Sequence, residues 1–222
     1  MTNDQLIILV PKGAQYNSVC RGVKAATSAP LVFSIPVGVK AVTQYLENDF
    51  SLPTKVLIMG LCGSLSPKYG VGDVVLYESC VYGGEVWECD RIFTSQLYNN
   101  LKTKVTLVKS LTSDSVVYST SEKRQLAETF PAEVVDMEGF AALKILSKRG
   151  ISVAMLRVVS DDSKHNIPNL NSAIDDNGNL QPLPLAREMI TQPIAAFNLI
   201  KGSLKALKLL QLVASELYHL PK

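Results

Sequence analysis

Short β-branched runs alternate with longer stretches of helical period along most of this chain, a rhythm that leads to a mostly parallel or mixed sheet covered by helices. Strands are predicted at Leu6–Val10, Leu31–Ile35, Lys55–Gly60, Asp73–Tyr82, Lys104–Ser110, Ala132–Val135 and Ser152–Ser160. Helical spacing occupies Gln15–Ala26, Val39–Asn48, Ser95–Leu101, Ser121–Phe130 and Glu138–Ser147, several of these opening after Ser, Thr or Gly. With 222 residues, 47% hydrophobic and 19% charged, the chain has apolar surface enough for one large core. A single α/β domain spanning residues 1–222 is expected.

The charge balance narrows the partners. Lysine and arginine number 22 against 20 acidic residues, a net charge of +2, and no basic tract appears, so nucleic acid is not indicated. The apolar run Leu6–Val10 is too short for the hydrophobic core of a signal peptide, and no apolar stretch approaches the roughly 20 residues that span a bilayer. A cytoplasmic chain without transmembrane segments is expected. Cys20, Cys62, Cys80 and Cys89 form no CxxC pair, which speaks against a disulfide framework or a metal site.

Asp161–Pro184 breaks the rhythm. It holds the pairs Asp161-Asp162 and Asp175-Asp176, the Asn177-Gly178 turn signal and prolines at 168, 182 and 184, and therefore reads as a long loop after a strand. Ligands in open α/β sheets bind beyond the carboxyl ends of the strands, and a loop this long in a compact fold is functional or mobile, so the site is expected there. Beyond it, Ile194–Leu217 repeats apolar residues at helical spacing with Lys201, Lys205 and Lys208 on another face, an amphipathic helix that packs or forms a subunit interface.

Three segments could carry chemistry. Met59-Gly60-Leu61-Cys62-Gly63-Ser64 is expected as a glycine turn where backbone can approach a flat ligand, although a glycine turn between two strands needs no ligand at all. In Val134-Val135-Asp136-Met137-Glu138-Gly139 a strand passes into a helix, and Glu138 either caps that helix or points from the first turn at a ligand. In Arg157-Val158-Val159-Ser160-Asp161-Asp162 an apolar strand delivers two adjacent acids, whose repulsion would raise at least one pKa and keep a proton at hand. The alternative there is a solvated loop start with Asp161 capping a turn.

Taken together, the glycine segment with Val71-Gly72-Asp73-Val74-Val75, then Val-Asp-Met-Glu-Gly, then Arg-Val-Val-Ser-Asp-Asp, resemble the nucleoside phosphorylase family, which includes the 5′-methylthioadenosine/S-adenosylhomocysteine nucleosidases. From Ser160 onward, Ile167-Pro168, Asp176-Asn177-Gly178 and Gln192-Pro193 are similar to the hopanoid-associated phosphorylases. The resemblance implies cleavage of the bond between a purine and a ribose, with a small-molecule nucleoside as substrate, no cofactor and a homo-oligomeric assembly. It places the carboxylate that holds the ribose hydroxyls on Glu138 with Met137 beside the sugar, and the acid that protonates the purine on Asp161, oriented by Ser160. Gly60, Leu61, Cys62 and Gly63 would flank the base, Cys62 as a packing contact.

Two positions depart from the family pattern. Its nucleosidases carry a water-activating glutamate where this chain has Gln15, and its phosphorylases carry a phosphate-binding arginine where this chain has Ile58. Because an amide cannot take the proton from water, the expected nucleophile is inorganic phosphate as co-substrate, gathered by Lys12, Gly13 and Lys40 near helix starts. Hydrolysis and a catalytically silent nucleoside-binding relative are the competing readings. A dinucleotide-binding module is set aside because no GxGxxG follows the first strand.

Overall fold

The computed structural model describes residues 6–24, 30–48, 54–175, 178–179 and 181–217. Eight strands form one mixed sheet: β1 (Ile7–Pro11), β2 (Leu31–Ile35), β3 (Lys55–Ser64), β4 (Val74–Tyr82), β5 (Glu85–Glu88), β6 (Val105–Thr112), β7 (Val134–Asp136) and β8 (Ser152–Asp161). The order is β2-β1-β3-β7-β6-β4-β5, and β8 pairs with both β3 and β4. Strands β3, β7, β6, β4 and β8 thus close a ring, with β2–β1 and β5 as extensions. The helices are α1 (Ala14–Val23), α2 (Val39–Glu47), α3 (Arg91–Asn100), α4 (Thr120–Thr129), α5 (Gly139–Lys148), α6 (Pro182–Thr191) and α7 (Pro193–Glu216).

Strand β8 explains the layering. Val153–Val159 is buried without a break, as a strand covered on both faces must be. Met155 and Val159 join Ile58 and Tyr77 under α2 and α5, while Leu156 and Val158 join Leu57 and Met59 under α1 and α7.

Three sequence expectations change. The glycine turn at Gly60–Gly63 is strand: β3 continues to Ser64 because β8 and β7 supply backbone partners on both sides of Gly63. A four-residue strand, β5, folds back on β4 through Gly83 and Gly84, whose φ of 57° and 83° suit a tight hairpin turn. The segment after Pro182 is helix α6, its prolines sitting in the first turn where a missing N–H costs nothing. The expected helix end at Ala25–Ala26 and the Asp176-Asn177 pair lie outside the described residues.

Candidate active site

Strand β3 brings the two acidic segments together. Gly63 pairs with Val135 of β7 on one side and with Asp161 of β8 on the other, so the ends that bear Glu138 and Asp161 meet at one edge of the ring. The β3–β8 register shifts between Cys62 and Gly63, opposite Val159 and Asp161, which leaves Ser160 as the extra residue of a bulge. Bulges re-aim side chains next to functional sites. Ser160 Oγ lies 3.2 Å from the Cys62 carbonyl and 3.0 Å from Asp161 Oδ1, tying the bulge to the carboxylate it orients.

The glycines of β3 leave room for polar and charged side chains. A Cβ on Gly63 would stand 2.8 Å from Asp161 Oδ2. One on Gly60 would stand 2.1 Å from Arg157 Nη1 and 2.6 Å from Gln15 Oε1. Between them, the Leu61 N–H donates to Gln15 Oε1 at 2.7 Å, Leu61 is half-buried, and Cys62 is buried in the core beside Tyr77, where burial pushes its thiol pKa up.

At the end of β7, Glu138 immediately precedes α5 and makes no side-chain capping bond, so the capping alternative is excluded. The cap is Asp136, whose Oδ1 accepts from Gly139 N at 3.0 Å and from Thr112 Oγ1 at 2.9 Å, while Thr112 Oγ1 accepts from Phe140 N at 2.9 Å. Glu138 is buried beside Arg157, Nη2 of which lies 3.7 Å from its Oε2 and 3.1 Å from Asp136 Oδ2. One fully buried guanidinium therefore faces two buried carboxylates. Burial lifts the Glu138 pKa to about 7; Arg157 opposes the rise, Asp136 adds to it, and backbone N–H groups of Gly38 and Met137 moderate it. Met137 itself is half-buried next to this acid.

At the end of β8, Asp161 is held by Lys123 of α4. The lysine side chain is 0% exposed and the Asp161 side chain 11%, and Nζ donates both to Asp161 Oδ2 and, at 2.6 Å, to the Asp162 carbonyl. The expected repulsion between Asp161 and Asp162 does not arise, because Asp162 turns away and closes a turn with Lys164 N and His165 N at 2.9 Å and His165 Nδ1 at 3.0 Å. Its partial burial pushes its pKa up, but those bonds outweigh burial and the net shift is downward. A cleft of about 260 Å³ opens beside this pair, lined by Asp161, Asp162, Val71, Asn198, Lys201 and Lys205. Two clefts of about 390 and 450 Å³ lie elsewhere and touch neither Asp161 nor Glu138.

The expected phosphate region is assembled differently. Lys12 donates to Asn179 in the long loop, which also packs Gly178 (φ 67°) against the Val37 backbone. Gly13 is the exposed residue before α1, Lys40 is exposed in the first turn of α2, and Ile58 is fully buried in the core. The long loop is docked over the β1–α1 and β2–α2 turns.

A profile of the Phosphorylase superfamily matches residues 37–180, which include Glu138, Asp161 and Lys123. The chain belongs to the phosphorylase superfamily. No curated protein matches the sequence significantly. Among solved structures, the 5′-methylthioadenosine/S-adenosyl homocysteine nucleosidase of Helicobacter pylori is similar with a TM-score of 0.69 and 15% identity over 98% of this chain and 97% of that one. An aspartate-to-asparagine mutant of the H. pylori nucleosidase with 5′-methylthioadenosine in the active site gives 0.65 and 15% over 96% and 98%. Futalosine hydrolase of H. pylori gives 0.65 and 17% over 96% and 98%. At these identities the likeness establishes the fold, and the expected nucleoside phosphorylase or nucleosidase type is met by superfamily and architecture together.

Sequence reasoning missed Lys123, Asp136 and the anchoring role of Arg157. One signal was available for Lys123: with Leu126, Ala127 and Phe130 it occupies positions i, i+3, i+4 and i+7, the buried stripe of α4.

Proposed function

We propose that this phosphorylase-superfamily chain hydrolyses the N-ribosidic bond of a purine nucleoside, with a 5′-modified adenosine as the substrate class. The observation that carries the reading is the meeting of the Asp161 and Glu138 strand ends at Gly63. Breaking this bond builds positive charge on the sugar and negative charge on the base, so a proton delivered to the base and a carboxylate on the ribose hydroxyls both act selectively in the transition state. Asp161, oriented by Ser160, serves the base; Glu138, with Met137 beside the sugar, holds the ribose; Leu61 is the partly open side chain of the segment flanking the base.

Water replaces phosphate as the nucleophile in this reading. Lys12 is engaged by Asn179, Ile58 offers no charge, and the similar structures carry the names nucleosidase and hydrolase. Gln15, fixed by the Leu61 N–H, can orient a water without deprotonating it, which suffices when the sugar is already cationic. Within the same proposal the chain needs no cofactor and works as a cytoplasmic homo-oligomer. The exposed apolar residues Leu183, Ile194, Phe197 and Leu204 on α6 and α7 support assembly, and among the described residues no helix is long and apolar enough to cross a membrane. The test is base release from a panel of purine nucleosides with and without phosphate. Equal rates and free ribose are expected; a rate that rises with phosphate and yields ribose 1-phosphate would restore the phosphorylase reading, and no release from any nucleoside would leave a binding protein.

A further inference from the structure

A carboxylate locked to a lysine is a poor proton source by itself, yet the proposed reaction asks Asp161 to protonate a departing base. The pairing is built in. Lys123 is 0% exposed, reaches Asp161 from a different element, and is fixed a second time by the Asp162 carbonyl. The start of α4 is clasped to the same loop, Thr120 N donating to Asn166 Oδ1 at 2.8 Å and Ile167 N to the Tyr118 carbonyl at 3.0 Å. Burying a lysine costs several kcal/mol of desolvation, which the ion pair with Asp161 and the bond to the Asp162 carbonyl offset.

We propose that Lys123 is the positioning residue that supplies Asp161 with its proton, an inference that rests on the N-ribosidic reading above. As the C–N bond breaks, its electron pair moves onto the base; the base takes a proton from Asp161, and Lys123 Nζ passes one to Asp161 Oδ2. Asp161 ends the step as the carboxylate it was, and Lys123 ends it as a neutral amine. Water adds to the cationic sugar and loses a proton, which restores the ammonium. The charged and titratable groups around the pair are Asp162 with its partner His165, Lys201 and Lys205 across the cleft, and Cys62 of β3.

The experiment compares a purine ribonucleoside, whose base must be protonated to leave, with 4-nitrophenyl β-riboside, whose phenolate leaves unaided. Lys123→Met should lower kcat/KM on the purine nucleoside by at least about 10² and on the nitrophenyl riboside by less than about threefold. Lys123→Arg keeps the charge and the ion pair but not a transferable proton, and should fail on the purine substrate in the same way. If neither variant folds, the wild-type pH profiles decide: the purine rate should fall on the alkaline side where the nitrophenyl rate stays level. Parallel losses on both substrates, full purine activity in either variant, or superimposable pH profiles would overturn the proposal. Wild-type protein inactive on the purine nucleoside but active on the nitrophenyl riboside would overturn it too, whereas inactivity on both would sink the N-ribosidic reading beneath it.

Discussion

The two acidic sites are built alike and charged differently. Each places a carboxylate at a strand end against a fully buried cation on a neighbouring element, and each depends on a β3 glycine to leave space for it. On the sugar side Arg157 is shared between Asp136 and Glu138, whereas on the base side Lys123 pairs with Asp161. The two sites thus differ in their ratio of acids to cations. Burial, with Asp136 adding to it and Arg157 opposing it, lifts the Glu138 pKa to about 7, while Asp161 has the buried Lys123 as its own partner. On the proposed reading, the Glu138 site loses a proton when hydroxyl donors arrive and the Asp161 site passes one on.

The sharpest way to break this comparison is Asp161→Asn. On the proposed reading this removes the proton donor to the base and should lower turnover on purine nucleosides by about 10² to 10⁴. It also leaves Lys123 buried without its counter-ion, so stability should fall while the chain still folds, the Lys123 bond to a side-chain oxygen being kept. Steady-state kinetics with a circular dichroism control checks this, and unchanged turnover removes Asp161 from the chemistry. Next in size is Arg157→Met. It leaves Asp136 and Glu138 buried without their cation and should destabilise the protein by about 3–5 kcal/mol, read from denaturant unfolding. A loss below about 1 kcal/mol would show that Arg157 is not the shared anchor.

The glycines sharpen the contrast by acting on one side at a time. Gly60→Ala puts a methyl 2.1 Å from the fully buried Arg157 guanidinium and 2.6 Å from Gln15 Oε1, so it should cost about 1–3 kcal/mol of stability. Gly63→Ala meets first the carboxylate of Asp161, at 2.8 Å, and then Val135 Cγ1 at 3.3 Å, and should lower turnover more than it lowers the melting temperature. If both substitutions acted on stability alone, the two sites would not be separable as described.

How much of this was legible depends on what holds each piece in place. Strand β8 and the helices α2 and α5 follow from local pattern, because apolar β-branched runs and 3.6-residue spacing report burial directly. The end of β3 was not legible: Gly60 and Gly63 read as a turn, and only partners on β7 and β8, distant in sequence, hold them extended. Edge strand β5 needs β4 to exist, and α6 hides behind prolines that suit both a loop and a helix start. Glu138 and Asp161 were singled out as acids at strand ends, and only the resemblance to the nucleoside phosphorylase family gave them roles. Their cations were not, since a lysine in the middle of a helix and an arginine inside an apolar strand are recognised as site residues only when the sheet brings them against the acids.

The smallest expected effect tests the sugar side through pH. The folded-state pKa of Glu138 is raised to about 7 from the usual carboxylate range, first by burial. A raised pKa means that this group's contribution to stability is fully present below the unfolded value and is lost as pH rises through about 7. Ribose hydroxyls donate more strongly to the ionised carboxylate than to the protonated one, so nucleoside binding should favour release of the proton that Glu138 holds, and affinity should rise by up to about tenfold between roughly pH 6 and 8 before levelling. The free purine, which does not reach Glu138, should bind with no such slope. Glu138→Gln should flatten the nucleoside curve and weaken nucleosides more than bases, because a buried hydroxyl partner is altered only when ribose is present. Calorimetric titrations in buffers of different ionisation enthalpy would count the proton directly. A nucleoside and a free base whose affinities follow the same pH curve would place Glu138 outside the sugar site and leave the two-acid, one-cation cluster as a purely structural feature.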